Sequence, residues 1–485
     1  LGRGEDGIAQ VAYYDEGVGT GVFDSVTGGG FGFGLDANVR EAYNWLIREY
    51  REGDEIYIYG FSRGAYTARS LVGFISTCGL LRCGAPLTVS QLWEGYSLLG
   101  WARERKGGSF WDFLTGKKNP PFRRISSLAA DWFGKNPEET EEKIEETLKS
   151  QPMNETEQLL VQYSRRVPIQ FLGIFDTVGA MGWEALAIPG LRSKLSIMHN
   201  MYVTGIIQNC SHALAINENR SSFKHTPMHQ WISSNWDEAT GAKAVEKWRK
   251  RITQRWFAGA HSNIGGGYPN NTLSVEILRW MMDCSRAEGL AFRDQPVIEV
   301  KARAETRRDS YAEFAAPFWM HVVRAKRWHR RISPPVDVKA NTVLENKEAK
   351  VEPNGYARKF IDEGVHESVL TLAEEDPDYA PLNLVEYARR QKQQNNDSFS
   401  RLADRPLQSD WLEAHRYRVE KTEGKTFLDE STLSRSALIV WSSLGAAGFV
   451  ALAGLINGYG NVEPSILFMA LLALLLVLID WWRTK

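Results

Sequence analysis

Residues 56–64 read Ile-Tyr-Ile-Tyr-Gly-Phe-Ser-Arg-Gly and run directly into AYTARSLVGFIS. A β-branched and aromatic run meets a helical pattern across G-x-S-x-G, so the chain must turn sharply from strand to helix. That turn belongs to a parallel sheet with helices on its faces, and it raises a serine hydroxyl above the strand ends. Ser62 is therefore the candidate nucleophile, with Gly60 and Gly64 as the small residues of the elbow. The backbone amide of Arg63, at the start of the helix, is a candidate oxyanion donor. The competing role for Ser62 is to cap the helix that follows.

A nucleophilic serine needs a base, and the base needs an acid to orient it; in this kind of fold they follow in the order Ser, Asp/Glu, His. Asp176 closes the apolar run VPIQFLGIFD and is the candidate acid, its other reading being a helix N-cap. His261 closes TQRWFAGAH and is the candidate base; Gly265, Gly266 and Gly267 after it read as a mobile loop over a site. His212, His225 and His229 have no Asp, Glu or Cys at ligand spacing, so no metal and no cofactor is expected. Asn217, Glu218 and Arg220 stand as residues that shape the site or cap a helix.

Further predicted elements are a buried strand over 10–14, a helix over 36–50 and strands over 56–59, 167–176 and 253–260. The glycine-rich stretch 15–34 carries neither phosphate-loop pattern, so nucleotide is not indicated. Residues 91–164, rich in Trp and charge, read as a helical lid inserted between core strands. The predicted domains are a catalytic region over 1–334, a polar extension or linker over 335–434, and a membrane hairpin over 435–485.

The hairpin reading rests on two apolar runs at 437–456 and 465–482. Each is roughly long enough, at 1.5 Å per residue, for a hydrocarbon core of about 30 Å. Trp441, Trp481 and Trp482 sit near their ends. Lys421, Lys425, Arg435, Arg483 and Lys485 flank the pair, which places both ends and the catalytic region on the cytoplasmic side of a bacterial inner membrane. Over the whole chain 58 basic residues offset 59 acidic ones, so there is no overall field for nucleic acid. Four scattered cysteines make no disulfide framework.

The stretches YYDEGVGT, GDEIYIYGFSRGAYTARSL, FLGIFDTVGA, HALAINENR and WFAGAHSNIGGGY resemble the α/β-hydrolase catalytic domain of type VI secretion phospholipase effectors and their bacterial relatives. The resemblance spans about residues 11–268. It implies Ser62 as nucleophile, His261 as base, Asp176 as acid, and hydrolysis of lipid acyl esters, with phospholipid and bilayer as partners. Asn217 and Asn263 stand where the family usually has Asp, which bears on substrate contacts. The family opens with a strand ending Asp-Gly-Thr, near a second oxyanion donor; this chain starts after it and is expected to be a fragment. Two alternatives remain: a non-catalytic membrane protein using the scaffold for binding, and an esterase or thioesterase for a soluble acyl substrate.

Overall fold

Apolar runs of strand length alternate with amphipathic ones along most of the chain, and the observed elements follow that rhythm. The computed structural model describes residues 7–15, 31–104, 155–178, 203–220, 223–233, 238–268, 272–293, 330–332, 356–360, 363–393 and 399–405. Two units are distinguished, one of residues 1–218, 223–306 and 329–408, the other of 219–222, 307–328 and 409–485. All elements below belong to the first.

Helix α1 (Phe31–Glu49) precedes strand β1 (Tyr57–Phe61), and α2 (Arg63–Cys78) follows it after a single residue. Next come β2 (Leu80–Leu81), α3 (Val89–Glu104), α4 (Glu155–Tyr163), β3 (Ser164–Arg165) and β4 (Ile169–Phe175). The chain continues through β5 (Ile207–Ala215), β6 (Gln230–Ser233), α5 (Glu238–Arg251), β7 (Ile252–Phe257), α6 (His261–Gly265) and α7 (Thr272–Ala287). It closes with β8 (Tyr356–Phe360), β9 (Glu363–Val365), α8 (Glu367–Glu375), α9 (Leu382–Gln393) and α10 (Ser400–Ala403).

Five strands form one parallel sheet in the order β1-β4-β5-β7-β9, so position across the sheet repeats position along the chain. Two small antiparallel pairs, β2–β3 and β6–β8, lie outside it. Both sheet faces are covered. From β5, Leu214 packs with Trp256 and with Val369, Leu372 and Leu384 of α8 and α9. Its neighbours Ala213 and Ala215 pack instead with Phe257, Ile264 and Ile277 of α7. This is the sidedness expected of a strand buried on both faces.

The mostly parallel α/β architecture agrees with expectation, while three local readings are corrected and one strand is added. Residues 10–14 are not a buried strand: Val11 is 68 % and Tyr14 84 % exposed, Tyr13 rests on the Trp45 ring, and the Gln10 side chain, not a ladder, pairs with the Ala291 backbone. The start of the 91–164 stretch is core, since Leu92, Trp93 and Tyr96 are buried and the two aromatic rings pack against Phe74 of α2, Trp93 edge-on and Tyr96 tilted. Much of the expected linker is also core. β9 is an edge of the sheet, and α8 and α9 bury Val369, Leu372, Leu384 and Tyr387; of the polar residues of 389–393, Lys392 and Gln393 are exposed, Gln391 is buried, and Arg389 and Arg390 are half-buried on the Ala403 and Ile332 carbonyls. Finally, β5 carries buried Ser211 and His212 and so escapes a search for continuous apolar runs.

Residues 105–154, the centre of the expected lid, and the two apolar runs at 437–456 and 465–482 lie outside the described residues. Among the described residues no helix is long and apolar enough to cross a membrane.

Candidate active site

Register brings the first two candidates to one level. Phe61 of β1 pairs with Phe175 of β4, so Ser62 and Asp176 each leave the carboxyl edge of adjacent strands one residue later. The Ser62 N–H donates to the Phe175 carbonyl at 2.9 Å, carrying the ladder one step beyond β1. The Asp176 N–H donates to the Ala213 carbonyl of β5 at 2.7 Å. Both then turn through the left-handed region, Ser62 at φ 57° and Asp176 at φ 42°. Such positions are costly for residues with a Cβ and collect at functional sites.

The elbow needs only one of its two glycines for space. A Cβ on Gly60 would lie 2.3 Å from the Gly64 carbonyl oxygen, whereas one on Gly64 would meet no described atom within 4 Å. Gly60→Ala is thus expected to lose ~3 kcal/mol or more through a backbone clash. Gly64→Ala, inside α2, is expected to match or exceed the parent by up to ~1 kcal/mol. Denaturant unfolding of the two variants checks this, and equal losses would contradict the packing described.

His261 arrives from the far side of β5, four residues after β7 ends. The turn that delivers it is tied down by side chains. The Asn217 Oδ1 accepts from the Gly259 N–H at 2.8 Å, the Asn263 Oδ1 from the Ala260 N–H at 2.9 Å, and the Glu218 Oε2 from the His261 N–H at 3.3 Å. The Tyr379 hydroxyl, beyond α8, also donates to Asn217 Oδ1 at 2.9 Å. Asn217 and Asn263 therefore act on the backbone of the histidine turn. The glycines after His261 do not form a mobile loop: α6 continues through Gly265, whose missing side chain admits the Phe61 ring, and Gly266 ends the helix in the left-handed conformation.

The three candidates meet. The His261 Nδ1 lies 2.5 Å from Asp176 Oδ2, and its Nε2 lies 2.7 Å from Ser62 Oγ. An ionised carboxylate only accepts, so Nδ1 carries the proton and Nε2 is left to accept from the serine hydroxyl. The imidazole is held between two rings, Phe61 at 4.7 Å and Phe223 at 4.9 Å between centroids. His261 and Asp176 are buried, while Ser62 stays partly accessible. Ser62 makes no side-chain cap to α2, so it does not play the capping role weighed from sequence, while the Asp176 carboxylate bonds groups across the sheet edge. Arg63 is the first residue of α2, its amide next in line after Ser62.

A residue the sequence reading missed completes the surroundings of Asp176. Arg330, 1 % exposed, donates from Nη1 to Asp176 Oδ1 at 2.6 Å and from Nη2 to Oδ2 at 3.0 Å. The Ala215 N–H also donates to Oδ1, at 3.1 Å. Burial alone would raise the Asp176 pKa, but the Arg330 charge and the bond from His261 win and hold it well below the usual carboxylate range. In the sequence Arg330 sits in the basic run RAKRWHRRI, which looks like solvated surface.

Of the other histidines singled out from sequence, His212 is bonded into the scaffold. His212 Nε2 accepts from the Thr177 N–H at 3.2 Å, so its Nδ1 donates to Gln254 Oε1, also at 3.2 Å. Burial, first of all, lowers the pKa of His212 to about 3 and that of His225 to about 3, so both are neutral near pH 7.

A family model described as T6SS, Phospholipase effector Tle1-like, catalytic domain matches residues 2–284. An uncharacterised protein of Saccharomyces cerevisiae, YEL023C, is 27 % identical over 243 residues, covering 46 % of this chain and 28 % of its own length. A crystal structure of an uncharacterised protein from Pseudomonas aeruginosa aligns with a TM-score of 0.22 at 15 % identity, covering 83 % of this chain and 44 % of that one. The chain thus spans less than half the length of either.

Proposed function

Since the chain belongs to the family of type VI secretion Tle1-like phospholipase effectors, through their catalytic domain, we propose that it hydrolyses phospholipid acyl esters with Ser62, His261 and Asp176 as its catalytic groups. The observation that carries this reading is the continuous chain of contacts from Ser62 Oγ through the His261 ring to Asp176. In the first step His261 Nε2 takes the serine proton as Oγ attacks the ester carbonyl. The resulting imidazolium is stabilised by Asp176, which keeps its negative charge. The Arg63 amide would donate to the oxyanion. Collapse of the tetrahedral intermediate releases the lysophospholipid alcohol, protonated by His261, and leaves an acyl-serine. Water, activated by the same histidine, then frees the fatty acid.

The apolar runs at 437–456 and 465–482 support a membrane hairpin that keeps the site at a bilayer, whether in the producing cell or in a cell to which the protein is delivered. One experiment addresses both parts. A fluorophosphonate probe is expected to label wild type at Ser62, and vesicles of phosphatidylethanolamine and phosphatidylglycerol are expected to release fatty acid. Deletion after Arg435 is expected to abolish co-sedimentation with those vesicles while probe labelling persists. A probe-silent wild type favours a binding scaffold, and turnover of soluble thioesters alone removes the phospholipid assignment.

A further inference from the structure

Arg330 reaches the site from a segment beyond the residues the family model matches, and its bonds do more than neutralise a charge. Its Nη1 serves both Asp176 Oδ1 and the Ala215 carbonyl, at 2.6 and 3.2 Å. Its Nη2 serves both Asp176 Oδ2 and the Phe223 carbonyl, at 3.0 and 2.6 Å. One guanidinium thereby ties together the residue after β4, the last residue of β5, and the residue whose ring forms a wall of the His261 site. Its Nε, also buried, finds no partner among the described residues. A buried arginine left partly unsatisfied is a poor choice for stability alone, since apolar packing would serve as well.

We propose that Arg330 is a fourth, positioning member of the site: its planar fork holds the Asp176 carboxylate as a pure acceptor toward His261, and so fixes the imidazole in the form whose Nε2 accepts the Ser62 proton. The catalytic consequence rests on the serine-hydrolase reading; the effect on His261 does not. Asp176 is fully buried, and without Arg330 its two oxygens keep the Ala215 amide and His261 as donors among the described residues. A carboxyl group that picks up a proton there can donate to Nδ1. The ring then carries its proton on Nε2, facing the serine, where it is useless as a base. A lysine offers a point charge without the fork and restores the acceptor only partly.

The test combines kinetics on a short-chain p-nitrophenyl ester with proton NMR of the full chain labelled with ¹⁵N-histidine. Arg330→Met is expected to lower kcat on the order of 100-fold with KM changed less than about 2-fold, as misplacement of a reacting group would. Arg330→Lys is expected to fall between Arg330→Met and wild type. In an Asp176→Asn background, Arg330→Met is expected to add no further loss, because the group it acts through is already gone. The low-field Nδ1–H resonance of His261 is expected in wild type and absent in Arg330→Met. If Arg330→Met fails to fold, the double variant, which removes both charges, and Arg330→Lys carry the comparison. Equal losses from Arg330→Met in the wild-type and Asp176→Asn backgrounds, or an unchanged resonance in Arg330→Met or Arg330→Lys, overturn the proposal. An inactive wild type that shows the resonance, with its loss in the Arg330 variants, overturns the hydrolase reading and upholds the Arg330 assignment.

Discussion

Ser62→Ala and His261→Ala are each expected to lower kcat on long-chain phospholipid by a factor on the order of 10⁴–10⁶, and the double variant is expected to be little worse than either. The reason is geometric: the serine hydroxyl and the histidine Nε2 are partners at 2.7 Å, and neither has a chemical task without the other. Fold stability separates this from a structural effect. Ser62 makes no side-chain cap, so its replacement is expected to cost less than ~1 kcal/mol in denaturant unfolding, the scale of one partly exposed hydrogen bond. Losses that multiply in the double variant would mean the residues serve separate purposes, and the shared proton-transfer mechanism would fall.

Ending the chain at residue 334 is expected to destroy the fold, although Ser62, Asp176, His261 and Arg330 would all be present. That truncation removes β9 and the helices α8 and α9, uncovering Leu214, Ile216 and Trp256. At roughly 1.5–3 kcal/mol for each large apolar side chain, the loss is about 5–9 kcal/mol. It also breaks the bond from the Trp256 indole N–H to Glu363 Oε2 at 2.9 Å, and leaves β7 as an unprotected edge. The total stability of a domain is on the order of 5–15 kcal/mol, so little would remain. Circular dichroism in the near ultraviolet and a thermal melt decide the matter. A cooperative transition for residues 1–334 near the full chain's Tm would show that the C-terminal elements are an independent addition.

What was legible in the sequence had local causes. Ser62 could be read because strand, turn and helix all announce themselves within about twenty residues of one another. Asp176 and His261 could be read because each follows an apolar run, and a polar residue at the end of a buried strand has few places to go. Arg330 had no such signature. Its burial depends on a carboxylate far away in the chain, and a basic run looks the same whether one member turns inward or not. β5 was missed because its polar side chains, satisfied by partners on other strands, break the apolar pattern. β9 was missed because it has three residues and opens with a buried glutamate whose visible reason is the Trp256 indole. The glycines after His261 were misread for a related cause: loop mobility and close packing use the same residue, and only the Phe61 ring tells them apart.

The positive φ at Ser62 has an evolutionary consequence. Glycine would occupy that backbone position at lower cost, and Ser62 makes no side-chain cap that its loss would forfeit. Mutational drift in a lineage that had abandoned catalysis would therefore run downhill there, since relaxing the turn gains stability and loses nothing that is selected. Asp176 differs: its φ is also positive, but its carboxylate balances the buried Arg330, so stability alone retains it. A descendant kept only as a binding scaffold should show glycine at position 62 while Asp176 and the apolar core stay. Serine persists against that slope only where its hydroxyl is used, which makes this position a sharper marker of a working enzyme among distant relatives than the fold around it.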